Sequence, residues 1–153
     1  MADFEQNIPL AEQLAHVLGD TVVAKFLAHG YHWNVKGFDF KEFHAFFEEI
    51  YSEFDDAIDP LAENILKLGF DAPYLLEDFT TLTCIQQERI ENGSANEMAQ
   101  SLLKINNGVV DHYKEIFTTA NSMNEQGIAN FVADQIDRHQ KISWQLRATL
   151  SLQ

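Results

Sequence analysis

His44, Glu48, Ser52, Asp55, Asp59 and Glu63 follow one another at steps of three and four. On a helix, residues so spaced are neighbours on one face, so this run would align imidazole and carboxylate groups in a single stripe. That mixed donor set suits iron, and zinc accepts it as well. A solvated polar face has the same spacing, since a helix in water needs one. Here Phe43, Phe46, Phe47, Ile50 and Phe54 crowd the rest of the helix, which is therefore buried over much of its girth. Asp59 and Glu63 stand one turn apart, close enough to hold one hard cation. His44 precedes Asp59 by fifteen residues, about 22 Å along a straight helix, whereas a bond to iron or zinc spans only about 2 Å. One chain cannot bring both to the same ion. Two copies packed antiparallel about a two-fold axis near Tyr51 and Ser52 would, so a metal site using these residues belongs at a dimer interface.

His29 and His32 are spaced i, i+3 ahead of this run. A lone histidine is more often a packed or surface residue than a ligand, and His29 is read that way. His32 differs, because the short Lys36–Asp39 turn brings the end of its helix toward the start of the next, near His44. Di-iron bundles with an intrasubunit centre place Glu-x-x-His on two helices. None of the thirteen glutamates here has a histidine three positions later. The one cysteine, Cys84, excludes an intrachain disulfide and a multi-thiolate zinc site. Its default reading is a small buried apolar residue in a reducing, cytoplasmic compartment.

Long helices must position these groups. The first is expected from about Pro9 to Val35, with Leu10, Leu14, Val17, Leu18, Phe26 and Leu27 as its apolar stripe. A break at Lys36-Gly37-Phe38 follows, then Asp39 with Glu42 as a capping box opening a second helix to about Leu68, where Gly69 stops it. Residues 70–93 form a longer connection in which residues 74–79 suit a short helix. Ser94 with Glu97 caps a third helix to about Asn121, and a turn through residues 124–127 leads to a fourth ending near Leu150. No stretch alternates as a strand does. The fold class is all-α: one domain over residues 1–153, a ferritin-like four-helix bundle with one long crossover.

The formal net charge of −14 disfavours nucleic acid and anionic membrane surfaces and suits a cationic partner. No apolar run approaches the roughly 20 residues needed to span a bilayer, and the first residues lack the pattern of a secretory signal. The expectation is a soluble protein.

Tyr31-His32-Trp33-Asn34-Val35-Lys36-Gly37, then Phe43-His44, Tyr51-Ser52-Glu53-Phe54 and Asp59-x-x-Ala62-Glu63, resembles the Dps family of mini-ferritins. Arg138-His139-Gln140-Lys141 leading to Trp144-x-Leu146-Arg147 is similar to that family's last helix. The resemblance implies a homo-dodecameric cage built from two-fold dimers, which oxidises ferrous iron and stores ferric mineral. Hydrogen peroxide is the usual oxidant, with oxygen as the alternative, so the reaction protects against oxidative stress. It also implies His32 and His44 from one subunit, with Asp59 and Glu63 from its mate, as catalytic metal ligands. Glu48 would bind a second, weaker iron, and zinc could substitute at the same residues. Trp33 stands where it could quench oxidising equivalents; Trp144 is read as packing, and His112, Tyr113 and His139 as structural or surface groups.

Three positions depart from the family pattern. Pro60 follows Asp59 inside a predicted helix, where it removes a backbone donor and can kink the axis. Asn64 replaces a frequent arginine. Asn130 replaces a frequent aspartate in a shortened pore segment, leaving Asp134 as a candidate to line the pore. The Pro60 departure keeps open a divalent-metal-binding cage with weak or no ferroxidase activity. A third reading is a helical assembly whose polar stripe binds nothing.

Family members that bind DNA usually do so through flexible basic tails. Residues 1–8 contain no lysine or arginine, and the chain ends Ser151-Leu152-Gln153. No appreciable DNA binding is expected at physiological salt. A plasmid mixed with the protein at moderate salt, without added divalent metal, should migrate unretarded.

Overall fold

The computed structural model describes residues 2–151. Met1, Leu152 and Gln153, which enter the reading of the chain ends, lie outside that range. The elements run α1 (Ala2–Gln6), α2 (Ile8–Asn34), α3 (Phe40–Lys67), α4 (Leu76–Leu82), α5 (Ala95–Ser122) and α6 (Gln126–Thr149). The four long helices are those the apolar periodicity predicts. The described residues contain no strand, only an isolated bridge between Lys36 and Ser94. The short α1 is an addition; Phe4, just before its end, stacks on Phe70 with ring centroids 4.4 Å apart.

Helix α2 packs along α3 and α5 along α6, and α2 also meets α5. Each contributes a stripe to one core, including Leu10, Leu14 and Leu18 of α2, Phe47, Ile50 and Phe54 of α3, Leu102 and Ile116 of α5, and Val132 and Leu146 of α6. Two phenylalanines at full burial on α3 anchor that stripe, since each such side chain removes a large apolar area from water. Buried Asn106, His139 and Ser143 form one hydrogen-bonded group between α5 and α6. The Asn106 amide donates to the His139 carbonyl at 2.6 Å and to Ser143 Oγ at 2.8 Å, while its oxygen accepts from His139 Nδ1 at 2.7 Å. Full burial, reinforced by Arg138, pushes the His139 pKa down to about 4, so its ring is neutral at pH 7.

The helix starts differ from one another. Ser94 Oγ accepts from the Glu97 amide at 3.3 Å, as its capping pattern predicts. Asp39 makes no side-chain cap, and the expected box with Glu42 is absent. The chain instead enters α3 through a backbone turn, with the Phe40 amide donating to the Gly37 carbonyl at 3.2 Å. Helix α3 then runs through Pro60 to Lys67 without interruption. The short crossover helix covers residues 76–82 rather than 74–79, and the Asp78 carboxylate accepts from the Leu75 amide at 3.2 Å. It lies on α2 at Gly19, where an added Cβ would come within 2.9 Å of Leu82 Cβ.

The turn between α2 and α3 is held at Gly93. The Lys36 amide donates to the Gly93 carbonyl at 2.9 Å, tying the turn to the residues just before α5. Gly93 has φ +66°, and a Cβ there would stand 2.6 Å from the Asn34 carbonyl oxygen. Gly127, inside α6, would meet nothing within 4 Å. Gly93→Ala should therefore destabilise the protein by more than the roughly 1–2 kcal/mol of the left-handed conformation alone. Gly127→Ala should be neutral or stabilising by up to about 1 kcal/mol. Urea unfolding of the two variants checks the contrast.

Candidate metal centre

His32 lies in the last turn of α2 and His44 in the second turn of α3. The last carbonyls of a helix lack an intrahelical donor. The free carbonyl of His32 is met by His44 Nδ1 at 2.7 Å, and His32 Nδ1 in turn reaches the His44 carbonyl at 2.6 Å. The rings stack with centroids 3.7 Å apart and planes 14° from parallel. A carbonyl oxygen only accepts, so each Nδ1 carries a proton and Nε2 is the ring nitrogen left to bind a metal. Second-partner bonds of this kind orient histidines for a metal. Around the pair, Phe40 stacks on His44 with ring centroids 5.0 Å apart, and Tyr51 meets His32 edge-on at 5.4 Å.

The carboxylates lie elsewhere on α3. Glu48 is exposed one turn beyond His44; Asp59 and Glu63 are exposed toward the far end of the helix, one turn from each other. Among the described residues no three His, Cys, Asp or Glu side chains of one chain converge on a point. The structure thus unites His32 with His44 and leaves Asp59 and Glu63 apart from them, as the helix rise requires.

His29, read as an ordinary residue, has closer company than expected. Its ring stacks on Tyr51 at 4.0 Å and meets Trp33 tilted by 40° at 4.3 Å, linking exposed Trp33 to the His32 neighbourhood. Desolvation lowers the His29 pKa, and nearby Lys25 acts the same way. The i, i+4 spacing of His29 and Trp33 was the available signal, whereas Tyr51 joins them only through packing of α3 on α2. Cys84, expected to be buried, is exposed. It sits in the irregular segment after α4, where no apolar periodicity governs burial.

A family model described as a ferritin-like domain matches residues 11–152. A DNA protection during starvation protein of Helicobacter pylori is 32% identical over 140 residues, which cover 92% of this chain and 97% of that protein. The crystal structure of a DPS protein from Vibrio cholerae, described as a member of a broad superfamily of ferritin-like diiron-carboxylate proteins, superposes with a TM-score of 0.91 at 29% identity, covering 96% of this chain and 92% of that one. Antigen TpF1 from Treponema pallidum gives a TM-score of 0.92 at 25% identity over 95% and 94% of the two chains. The chain belongs to the Dps family of ferritin-like proteins.

The departures from the Dps pattern now have surroundings. Pro60 lies within continuous helix, so Asp59 and Glu63 keep their one-turn relation. Asn64 is buried, and its oxygen accepts from Lys67 Nζ at 3.4 Å. Asp134 is exposed, but its carboxylate accepts from Arg138 Nε at 2.8 Å, and Arg138 also lies 3.7 Å from Glu53. Arg138 therefore pairs with the carboxylate that the sequence offers as a pore-lining candidate. Nitrogen-15 correlation spectra of the apoprotein should show a protonated Nδ1 on both His32 and His44. An unprotonated Nδ1 on either ring would contradict this geometry.

Proposed function

We propose that the chain is an iron-storing, iron-detoxifying mini-ferritin whose ferroxidase sites form between two copies. His32 and His44 of one subunit, with Asp59 and Glu63 of its two-fold mate, bind ferrous iron as substrate; Glu48 serves a second, weaker iron. The observation that carries this reading is the reciprocal His32–His44 bond, which leaves both Nε2 atoms to bind a metal on a chain whose complementary carboxylates are out of reach. Imidazole and carboxylate donors together fit iron, and zinc is a possible substitute at the same atoms.

Two ferrous ions each give one electron to hydrogen peroxide, which takes up two protons and leaves as two waters. The ferric ions then hydrolyse and mineralise inside a dodecameric cage. Oxidation through both electrons of peroxide avoids the hydroxyl radical that one-electron reduction releases. Oxygen is the alternative oxidant. Exposed Phe26, Trp33, Phe40 and Leu66 on α2 and α3 supply apolar area for neighbouring copies to cover. The net charge of −14 gathers cations and opposes DNA, so any protection of DNA comes from removing iron and peroxide rather than from coating the duplex. None of the helices is long and apolar enough to cross a membrane, and a cytoplasmic site of action is proposed with the rest.

Subunit mixing tests the shared site. A His32→Ala/His44→Ala variant and an Asp59→Ala/Glu63→Ala variant should each oxidise Fe(II) with peroxide far more slowly than the native protein. Dissociated, mixed in equal amounts and reassembled, they should regain roughly a quarter of the sites, because half the two-fold pairs are mixed and each carries one intact site. No recovery in reassembled particles would sink the trans-subunit arrangement. Iron bound by the native protein without accelerated oxidation would favour a metal-binding cage.

A further inference from the structure

The segment between α4 and α5 is pinned around a buried carboxylate. Asp20 on α2 is 1% exposed. Its Oδ1 accepts from the Thr83 hydroxyl at 2.7 Å and the Cys84 amide at 2.8 Å, and its Oδ2 accepts from His112 Nδ1 at 2.7 Å. Beside it opens a cavity of about 200 Å³ lined by Gln13, His16, Cys84, His112, Glu115 and Ile116. A second cavity of about 420 Å³ shares Cys84 and His112 with it.

Both histidines of the smaller cavity are prepared in the same way. His112 donates through Nδ1 to the Asp20 carboxylate, and His16 donates through Nδ1 to the Leu82 carbonyl at 2.9 Å. Nε2 is therefore the ring nitrogen left to bind a metal in each, and a carboxylate or carbonyl behind the ring is the usual support of a metal-binding histidine. The Cys84 backbone hangs from the other oxygen of the carboxylate that holds His112. Glu115 adds an oxygen donor, and no lysine or arginine lines this cavity. The Asp20–His112 pair beside a thiol also has the make-up of a nucleophilic cysteine site. Desolvation raises the Cys84 pKa, and Asp20 and Glu115 raise it further, which opposes a reactive thiolate without a cation.

We propose that His16, Cys84 and His112, with Glu115 as the fourth donor, hold a thiophilic divalent cation of the zinc class at the crossover, separate from the interface iron site. As the sulfur–metal bond forms, the Cys84 thiol releases its proton to solvent. In the apo arrangement no three such donors of the described residues converge. The two imidazoles are held, while exposed Cys84 and Glu115 have the rotational freedom to close the site around the ion. A site of nitrogen, sulfur and carboxylate donors fits tetrahedral zinc.

Cobalt(II) is the probe, because only thiolate ligation gives a sulfur-to-cobalt charge-transfer band and Cys84 is the one cysteine. Titrated into the reduced apoprotein, cobalt should raise this band to one thiolate-bound ion per chain, and zinc should displace it. Cys84→Ser should abolish the band. His112→Ala should weaken cobalt binding about tenfold or more. His16→Ala, at an exposed position that tolerates truncation, should do the same and decides the matter if the His112 variant fails to fold. Absence of the band at saturating cobalt overturns the proposal. So does a band of unchanged affinity in the His16 variant, since that would be a thiol acting alone. Either result leaves iron oxidation at the interface untouched, so the two readings fail separately.

Discussion

A helix advances about 1.5 Å per residue, while a bond from iron to its ligand spans about 2 Å. Placing His44 and Asp59 fifteen residues apart on one unbroken helix therefore separates them by many bond lengths. Everything about the candidate iron site depends on that separation. The short turn into α3 brings His32 to His44, and the end of α2 supplies the carbonyl that orients the second ring. Nothing within the chain brings the carboxylates to the imidazoles. In the proposed site a second copy does so, which would couple the chemistry to assembly.

The bundle holds its half of the site through backbone groups rather than side-chain salt bridges. Helix ends leave carbonyls without partners, and here one such carbonyl receives His44 Nδ1. The reciprocal bond to the His44 carbonyl makes each ring the brace of the other's helix. The same device recurs at the crossover, where the Leu82 carbonyl holds His16, while a side-chain carboxylate, that of buried Asp20, holds His112. Tyr31, next to His32, reaches across to the Glu88 carbonyl and Ser101 Oγ and ties the crossover to α2. Positioning of the site and closure of the bundle thus rest on overlapping contacts.

Charge plays a different part. Acidic groups remain exposed along α3, where they attract cations without being committed to ion pairs, apart from contacts such as Lys25 with Asp55 at 4.0 Å and Arg138 with Glu53. Exposed pairs of this kind add little stability. Their consequence is local: Arg138 offsets the charge of Asp134, and among the described residues the exposed carboxylates of α3 have no such partner as close.

The long helices and their order were legible in the chain, because apolar residues at helical spacing report which face is buried whatever the partner. The separation of His44 from Asp59 and Glu63 along one helix was legible too, since it follows from spacing alone. Whether Asp39 caps α3 is not legible in the sequence, because a cap depends on the torsions of the entering turn, which a residue's type does not set. The exposure of Cys84 is not legible either, since no periodicity surrounds it. His29 stacked on Tyr51, the tautomer of each histidine, and the meeting of His16, Cys84 and His112 join residues far apart in the chain. Such contacts exist only after α2, α3, α5 and the crossover have packed, because hydrogen-bond direction and ring stacking depend on where distant helices come to rest. The types and spacing of His32, His44, Asp59 and Glu63 were set by sequence; that the two histidines brace each other through the backbone was decided by the fold.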